Sequence, residues 1–198
     1  MRVQTFNNSL NFGKIPVLKC KVEEKNGKLE SATLYKMEPN NPEDAKEIKF
    51  SKNARCIYYD FMRDAGKHLS DRSYYLLQND KSKEVIACAE TARHFRPDNA
   101  EYSGNTVFIE EIAENPKYKK GGQPLLAHIA LNSIDLKDST ISTSNYASAI
   151  DSLSESEFVQ TKTGDWVLPQ DSIITFVKQA MFDTNMKYVN ETILDTVC

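Results

Sequence analysis

The sequence predicts a mixed α/β domain of the α+β kind, in which one mostly antiparallel sheet is flanked by helices. Three observations support this prediction: two hairpin patterns in the first half, a change to helical periodicity after residue 122, and short strand patterns between the later helices. The 198 residues are 40% hydrophobic and 27% charged, which is typical of one domain with a single core. We expect a flexible leader over residues 1–12 and one domain over residues 13–198.

The first predicted element is a hairpin. Ile15–Val22 and Leu29–Met37 both alternate apolar and polar residues, and Asn26-Gly27 supplies the turn between them. The chain then breaks at a segment rich in proline and asparagine, in which Asn40 or Asn41 is expected to cap a helix.

The remaining elements follow from the same two periodicities and from their breaks. Two short helices are expected next, at Ala45–Phe50 and Ala54–Ala65. A second hairpin follows, formed by Ser73–Gln78 and Val85–Phe95, and then a loop at Arg96–Asn105 and a strand at Thr106–Ala113. In the second half, we expect a helix at Gln123–Ser133, a strand at Ser139–Ser144 and a short helix at Tyr146–Ser154. Two strands at Phe158–Thr161 and Trp166–Leu168 follow, and then a closing helix at Asp171–Phe182 whose pattern extends toward Leu194.

Composition excludes several classes of protein. The net charge is −3, with neither low-complexity sequence nor a strongly basic surface, so no nucleic-acid partner is expected. The four cysteines lie far apart, without the spacing of a zinc site, so no metal is expected. No apolar run is long enough for a signal peptide or a membrane span. We therefore expect a cytoplasmic protein with free thiols and no membrane partner, although a secretion route that recognises a polar leader would leave no such signature.

The segment between the strand at 106–113 and the helix at 123–133 has the pattern of an anion-binding loop. We call residues Lys117–Gln123 the glycine loop. Its Gly121 and Gly122 permit close backbone approach, and free amide groups at a helix start favour phosphate oxygens. The charge balance also changes here, from 21 basic and 18 acidic residues up to residue 120 to 4 and 10 after it. A plain turn with solvated lysines is the alternative interpretation.

Two common phosphate motifs are absent from the sequence. No Gly-Lys pair is followed by Ser or Thr, which excludes a Walker loop. Gly121-Gly122 has no third glycine at the required spacing, which excludes the dinucleotide fingerprint.

The order of elements and the segment Pro116–Leu126 together resemble the GNAT superfamily of acetyl-CoA-dependent N-acetyltransferases, whose motif is Q/R-x-x-G-x-G/A. The resemblance covers roughly residues 29–181. Lys117 falls on the Q/R position, Lys120 on the first glycine and Gly122 on the second small residue. The segment Ala149–Phe158 is similar to the family's A-I-x-x-Y-x-x-x-G-F segment, but Leu153 stands at the tyrosine and Glu157 at the glycine.

The resemblance implies acetyl-CoA as cosubstrate and an amine, on a small molecule or a peptide, as acceptor. It implies that the amides from about Lys119 to Gln123 hold the pyrophosphate, and that the main chain near Ile112–Glu114 pairs with the pantetheine arm. Asn145 lies one residue from the family's CoA-contacting asparagine. The full set of cofactor-binding candidates is Ile112, Ala113, Glu114, Lys117, Lys119, Lys120, Gly121, Gly122, Gln123 and Asn145.

Acyl transfer to an amine requires a base, because an alkylamine is mostly protonated at neutral pH. Strict alternation along 106–113 places Glu110 on the face of Phe108 and Ile112, and Glu111 on the other face. Glu110 is the first candidate base and Glu111 the second. Leu153 cannot donate a proton, so Tyr146 or solvent is expected to protonate the departing thiolate, while amide groups near Ala113 polarise the thioester oxygen. The alternative function is a catalytically silent CoA-binding or protein-interaction module on the same fold.

Overall fold

A computed structural model describes residues 14–37, 72–94, 106–133, 141–143, 151–154, 156–162 and 164–189. The predicted leader, the two predicted helices between 45 and 65 and the predicted loop at 96–105 lie outside the described residues, as do Asn145 and Tyr146. The boundary between leader and domain therefore stays a prediction.

The N-terminal hairpin is confirmed. Strand β1 covers Ile15–Glu24 and strand β2 covers Leu29–Met37, in antiparallel register. Gly27 has φ of 87°, a value that L side chains rarely adopt, and the Asn26 side chain accepts a 2.9 Å hydrogen bond from the Lys28 N–H. The Asn-Gly pair therefore forms the turn, as the sequence predicts.

Three long strands form the centre of the sheet. Strand β3 is Arg72–Asn79, β4 is Val85–His94 and β5 is Thr106–Glu114, each antiparallel to its neighbour. Their apolar residues are buried on both faces of the sheet, which explains why the segments read as nearly continuous apolar runs.

The second half of the chain supplies helices and short strands. After the two-residue strand β6, Tyr118–Lys119, helix α1 covers Gln123–Ser133, as predicted. The later elements, in chain order, are β7 (Ile141–Thr143), α2 (Asp151–Ser154), β8 (Val159–Gln160), β9 (Trp166–Leu168), a 3₁₀ turn (Gln170–Ser172), α3 (Ile173–Thr184) and β10 (Lys187–Tyr188).

The closing helix is shorter than its periodicity predicts. Helix α3 ends at Thr184 and does not continue toward Leu194, because Asn185 adopts a left-handed conformation with φ of 47°. The N–H of Met186 then bonds to the Met181 carbonyl at 3.1 Å, which closes the helix end as a Schellman motif. The chain turns there into β10, which sequence reasoning missed.

All ten described strands belong to one sheet, in the order β10-β1-β2-β3-β4-β5-β7-β9-β8, with β6 also paired to β1. Among these pairs only β5 and β7 run parallel. The predicted fold class, a mixed and mostly antiparallel sheet with flanking helices, is confirmed.

The main core lies between one face of the sheet and helices α1 and α3. Leu34, Leu77 and Ile86 from the strands meet Leu125 and Phe176 from the helices, all at most 2% exposed. A smaller cluster, which includes Tyr74, Leu76 and Cys88, lies on the opposite face. Within the described residues no helix is long and apolar enough to cross a membrane.

Candidate functional site

A bulge interrupts strand β5 at Glu110. Glu90 on β4 pairs with Glu111, whereas the next residue, Thr91, pairs with Ile109, so Glu110 is the extra residue of β5. The prediction of strict alternation along this strand is therefore wrong beyond Ile109: Ile109 and Ile112, expected on opposite faces, both contribute to the main core. A bulge displaces the extra residue from the regular ladder, which is why period-two counting fails here.

The described parallel pairing between β5 and β7 reaches Ile109, the residue before the bulge. The register runs from Val107 with Ile141 to Ile109 with Thr143, and the described part of β7 ends there. The backbone of Ile112 and Ala113 is paired on its β4 side, with Ala89 and Cys88. Along the described residues, the other edge of β5 is therefore paired up to Ile109 and not beyond it.

The glycine loop has the tight backbone that its sequence predicts. Lys120, at the position that matches the family's first glycine, has φ of 49°. A Cβ on Gly121 would lie 2.9 Å from Ile86 Cγ2 and 3.0 Å from Tyr118 Cβ. Gly121 is thus required by close packing, and Lys120 occupies a conformation that a glycine would adopt more easily.

The Glu114 carboxylate lies on the glycine loop and at the start of helix α2. Its Oε1 accepts a 2.5 Å hydrogen bond from the Gly122 N–H and a 2.6 Å bond from the Ser152 hydroxyl. Its Oε2 lies 3.4 Å from the Ser152 N–H. An anion of the protein itself therefore binds one of the amide groups that were predicted to hold pyrophosphate.

Lys117 is held between two carboxylates. Its ammonium group lies 3.0 Å from Glu24 Oε1 and 3.0 Å from Glu84 Oε2. The hydrogen bonds to Glu24 and then Glu84 raise the pKa of Lys117 well above its usual range. Its charge stabilises the loop against strand β1 and the β3–β4 turn, and its predicted role toward CoA stays a prediction.

Glu84 is the centre of this polar cluster. Besides Lys117, it accepts hydrogen bonds from the Tyr118 hydroxyl at 3.0 Å and from Asn115 Nδ2 at 3.2 Å. Burial acts to raise the pKa of Glu84, but the bonds from Lys117, Tyr118 and Asn115 outweigh it, so the pKa lies below its ordinary value. This cluster fixes the approach to the glycine loop.

The other loop candidates are placed as follows. The Lys119 ammonium group is 3.9 Å from Glu23 Oε2, a loose and exposed ion pair. The Gln123 N–H bonds to the Lys120 carbonyl at 3.1 Å, and Gln123 begins helix α1. Lys119, Lys120 and Gln123 also line one cavity beside the loop.

The backbone of strand β5 shows where the two predicted base residues lie. Glu110 lies at the bulge and Glu111 directly follows it, and the structure describes the backbone but not the side chain of either residue. Leu153 is 1% exposed in the main core, so at this position the helix supplies packing.

Sequence reasoning missed several residues of this region. Ser152 binds Glu114 from 38 positions away, and Glu24 on β1 and Glu84 in the β3–β4 turn reach Lys117 from distant parts of the sequence, so no local spacing signals these contacts. Glu90, which pairs with Glu111 beside the bulge, is 2% exposed and accepts a 3.4 Å hydrogen bond from the Tyr74 hydroxyl. A lone glutamate inside an apolar strand pattern is the one sequence signal that points to it.

The glycine loop can bind an anion, and strand β5 can present main-chain groups beside its bulge. The Gly122 N–H donates a short hydrogen bond to the Glu114 carboxylate, so this amide group already binds an anionic oxygen of the protein itself. Among the described residues, no group of three or more histidine, cysteine or acidic side chains is placed to hold a metal ion.

Comparison with known proteins gives structural matches only. No protein-family model and no curated protein matches the chain. The crystal structure of the KacTA–DNA complex matches with a TM-score of 0.49 and 13% identity, over 76% of this chain and 99% of that one.

Two mutants of a cAMP-binding acyltransferase from Mycobacterium smegmatis match with a TM-score of 0.43 and 11% identity, over 84% and 83% of this chain. The match spans 56% and 53% of their length, about half of each. With TM-scores below 0.5, these matches do not decide the function of this chain.

Proposed function

We propose that this chain is an acyltransferase that uses a CoA thioester, acetyl-CoA in the simplest case, and transfers the acyl group to an amine. The observation that carries the proposal is the bulge at Glu110, which interrupts the regular pairing of β5 with β4 directly after Ile109, where β5 also pairs with β7. The glycine loop follows the same strand and leads into helix α1. Main-chain amides, a carboxylate and an anion-binding turn are thereby contributed by one short stretch of chain.

The residues would divide the work as follows. Amides of the glycine loop would hold the pyrophosphate, and the backbone of Ile112–Glu114 would pair with the pantetheine arm. Acetyl-CoA, when bound, supplies the acyl thioester. Glu110, or Glu111 as second candidate, would take the proton that the amine loses as its nitrogen bonds to the acyl carbon.

The second half of the reaction needs a proton donor and a group that stabilises charge. Amides near Ala113 would stabilise the charge that develops on the acyl oxygen. Tyr146 or solvent would give a proton to the sulfur as the carbon–sulfur bond breaks, since Leu153 has no proton to donate. Asn145 completes the set of candidates that would contact CoA.

One observation favours the second candidate function, a catalytically silent module. The Glu114 carboxylate already binds the Gly122 N–H and Ser152, and Lys117 is neutralised by Glu24 and Glu84. A phosphate group must therefore compete with an internal anion, and it gains little from the Lys117 charge.

Calorimetric titration of the full chain with acetyl-CoA, followed by thiol release against a panel of amines, separates these functions. Binding with turnover supports the transferase, binding without turnover supports a silent CoA-binding module, and the absence of binding removes both. For the transferase, Glu110→Gln should lower kcat by about 10²- to 10⁴-fold without changing acetyl-CoA affinity, as expected for a lost base. Asp171→Asn, at an exposed position on the 3₁₀ turn, is the matched control.

If Glu110→Gln retains full turnover, Glu110 is not the base, and Glu111→Gln becomes the decisive variant. Full turnover in both variants would remove the proposal of a glutamate base on β5.

A further inference from the structure

A cavity of about 260 Å³ lies on the strand β1 side of the glycine loop. Its walls come from β1, from Leu29 of β2, from the glycine loop and from the C-terminal end of helix α3. Neither Glu114 nor Ser152 lines it, so it is separate from the contact between Glu114 and Gly122. A single water needs only ~10–15 Å³ by such a measure, so the cavity is large enough for a small metabolite.

The lining of this cavity carries both charges, with one more basic than acidic residue. Lys21, Lys119 and Lys120 face two acidic residues, Glu23 and Asp183. The Lys21 ammonium group donates a 2.7 Å hydrogen bond to the Ser31 hydroxyl, a neutral partner that leaves the charge of Lys21 uncompensated by that bond. Because the Lys119–Glu23 contact is 3.9 Å long and exposed, it is readily replaced by an anionic ligand.

Gln123 is the feature that points to a ligand. Its residue surface is only 7% exposed, yet its side-chain amide makes no hydrogen bond within the part of the chain that the structure describes. The side chain lines the cavity at the first residue of helix α1, where the helix dipole favours negative charge. Among the described residues, Trp166 Nε1 is the one fully buried polar side-chain atom without a hydrogen-bond partner, so the Gln123 amide reaches the solvent in the cavity. A bound oxyanion can replace that solvent as the acceptor of the Gln123 N–H groups.

The acidic residues indicate the rest of the ligand. The Asp183 carboxylate accepts a 2.7 Å hydrogen bond from Gln179 Nε2 at one oxygen, and a carboxylate can accept further bonds at its second oxygen. Hydroxyl groups are suitable donors to such an oxygen and to the Gln123 carbonyl. The wall thus combines groups that bind an oxyanion with groups that accept hydrogen bonds from hydroxyls.

We propose that this cavity binds a small phosphate monoester whose organic part carries hydroxyl groups. The phosphate is held by Lys21, Lys119 and the Gln123 amide, while Asp183 receives a hydroxyl. The cavity shares Lys119, Lys120 and Gln123 with the candidates for CoA binding, and phosphate binding here can be measured without an acyl donor or an amine.

Titration of the ¹⁵N-labelled full chain with glycerol phosphate, with inorganic phosphate and with glycerol tests the proposal. We expect saturable amide shifts in residues 119–123 and 183–184, tightest with glycerol phosphate, weaker with inorganic phosphate and none with glycerol. Lys21→Met should weaken glycerol phosphate binding by about 10-fold, the effect of one charge-assisted hydrogen bond. Lys162→Met removes the same charge at an exposed position outside the cavity and should leave the affinity unchanged.

Gln123→Met provides a second test that retains the size of the side chain. It should weaken phosphate binding while the spectrum of the free protein confirms that the fold is intact. The proposal is overturned if no saturable shift appears, or if Lys21→Met binds as the unaltered chain does. Equal weakening by Lys162→Met would overturn it as well, because binding would then follow net charge alone.

Discussion

The Glu114 carboxylate accepts a 2.5 Å hydrogen bond from the Gly122 N–H, so a strand residue caps the turn that leads into helix α1. The same carboxylate binds Ser152 at 2.6 Å and joins helix α2 to this turn. One side chain therefore connects three elements that come from distant parts of the sequence.

Removal of this carboxylate should lower stability. Glu114→Ala leaves the Gly122 N–H and the Ser152 hydroxyl without their acceptor, which is expected to cost roughly 1–3 kcal/mol in the free energy of unfolding. Glu114→Gln retains an acceptor oxygen and should cost less. Urea unfolding measures both, with Glu157→Ala at an exposed position as the control. Equal stability of Glu114→Ala and the control would contradict the capping role.

A side chain at Gly121 should disturb packing. A Cβ there would contact Ile86 Cγ2 at 2.9 Å and Tyr118 Cβ at 3.0 Å, so Gly121→Ala should cost about 1–3 kcal/mol through overpacking. At Gly122 the nearest atoms lie at 3.4 Å, an ordinary contact distance, and Gly122→Ala should cost less. Thermal unfolding of the two variants side by side tests the order, and the reverse order would disprove the steric argument.

Lys120→Gly should stabilise the chain. Lys120 has φ of 49°, a conformation that costs an L residue about 1–2 kcal/mol, and the entropy cost of a glycine offsets part of the relief. The expected gain is roughly 0.5–1 kcal/mol in denaturant unfolding. Lys119→Gly, the same replacement in strand β6, should instead destabilise by a similar amount. A loss of stability in Lys120→Gly would show that the Lys120 side chain contributes more than its backbone strain costs.

His128 should make stability depend on pH. Burial lowers the pKa of His128 to about 4, and the nearby charge of Lys36 adds to the effect. Asn132 Nδ2 lies 2.9 Å from Nε2, so Nε2 accepts and Nδ1 carries the proton toward the Tyr188 hydroxyl at 3.4 Å. The folded chain thus holds the neutral imidazole.

Since the unfolded chain binds the proton at its ordinary pKa near 6.5, stability should fall as pH drops from about 6.5 to about 4 and level off below that. The full effect is about 3 kcal/mol. His128→Gln should remove this part of the pH profile, whereas Tyr188→Phe should keep it, because the imidazole still titrates. An unchanged profile in His128→Gln would assign the slope to other groups.

Local patterns predicted the elements whose causes are local. Asn26-Gly27 gave the first hairpin, and the spacing of Leu125, Leu126 and Ile129 gave helix α1 with its observed ends. The glycine loop was predicted because its glycines, lysines and following helix are contiguous.

The remaining features depend on contacts between distant residues. The bulge at Glu110 reverses the expected faces because strand β4 sets the register, and β5 alone carries no sign of it. The partners of Lys117 come from β1 and from the β3–β4 turn, so a lysine that suited a phosphate became part of an internal ion-pair cluster. Strand β10 is two residues long, too short for any periodicity, and it exists through its pairing with β1.

That last pairing constrains how the chain reaches its native state. Leu18 pairs with Tyr188, so the outer edge of the first hairpin is completed by residues near the other end of the sequence. On a ribosome, the hairpin would emerge early, and this edge would stay unpaired until most of the chain had been synthesised. Closure over so long a loop is slow, which favours late docking of α3 and β10 and exposes the nascent hairpin to intermolecular strand pairing in the meantime.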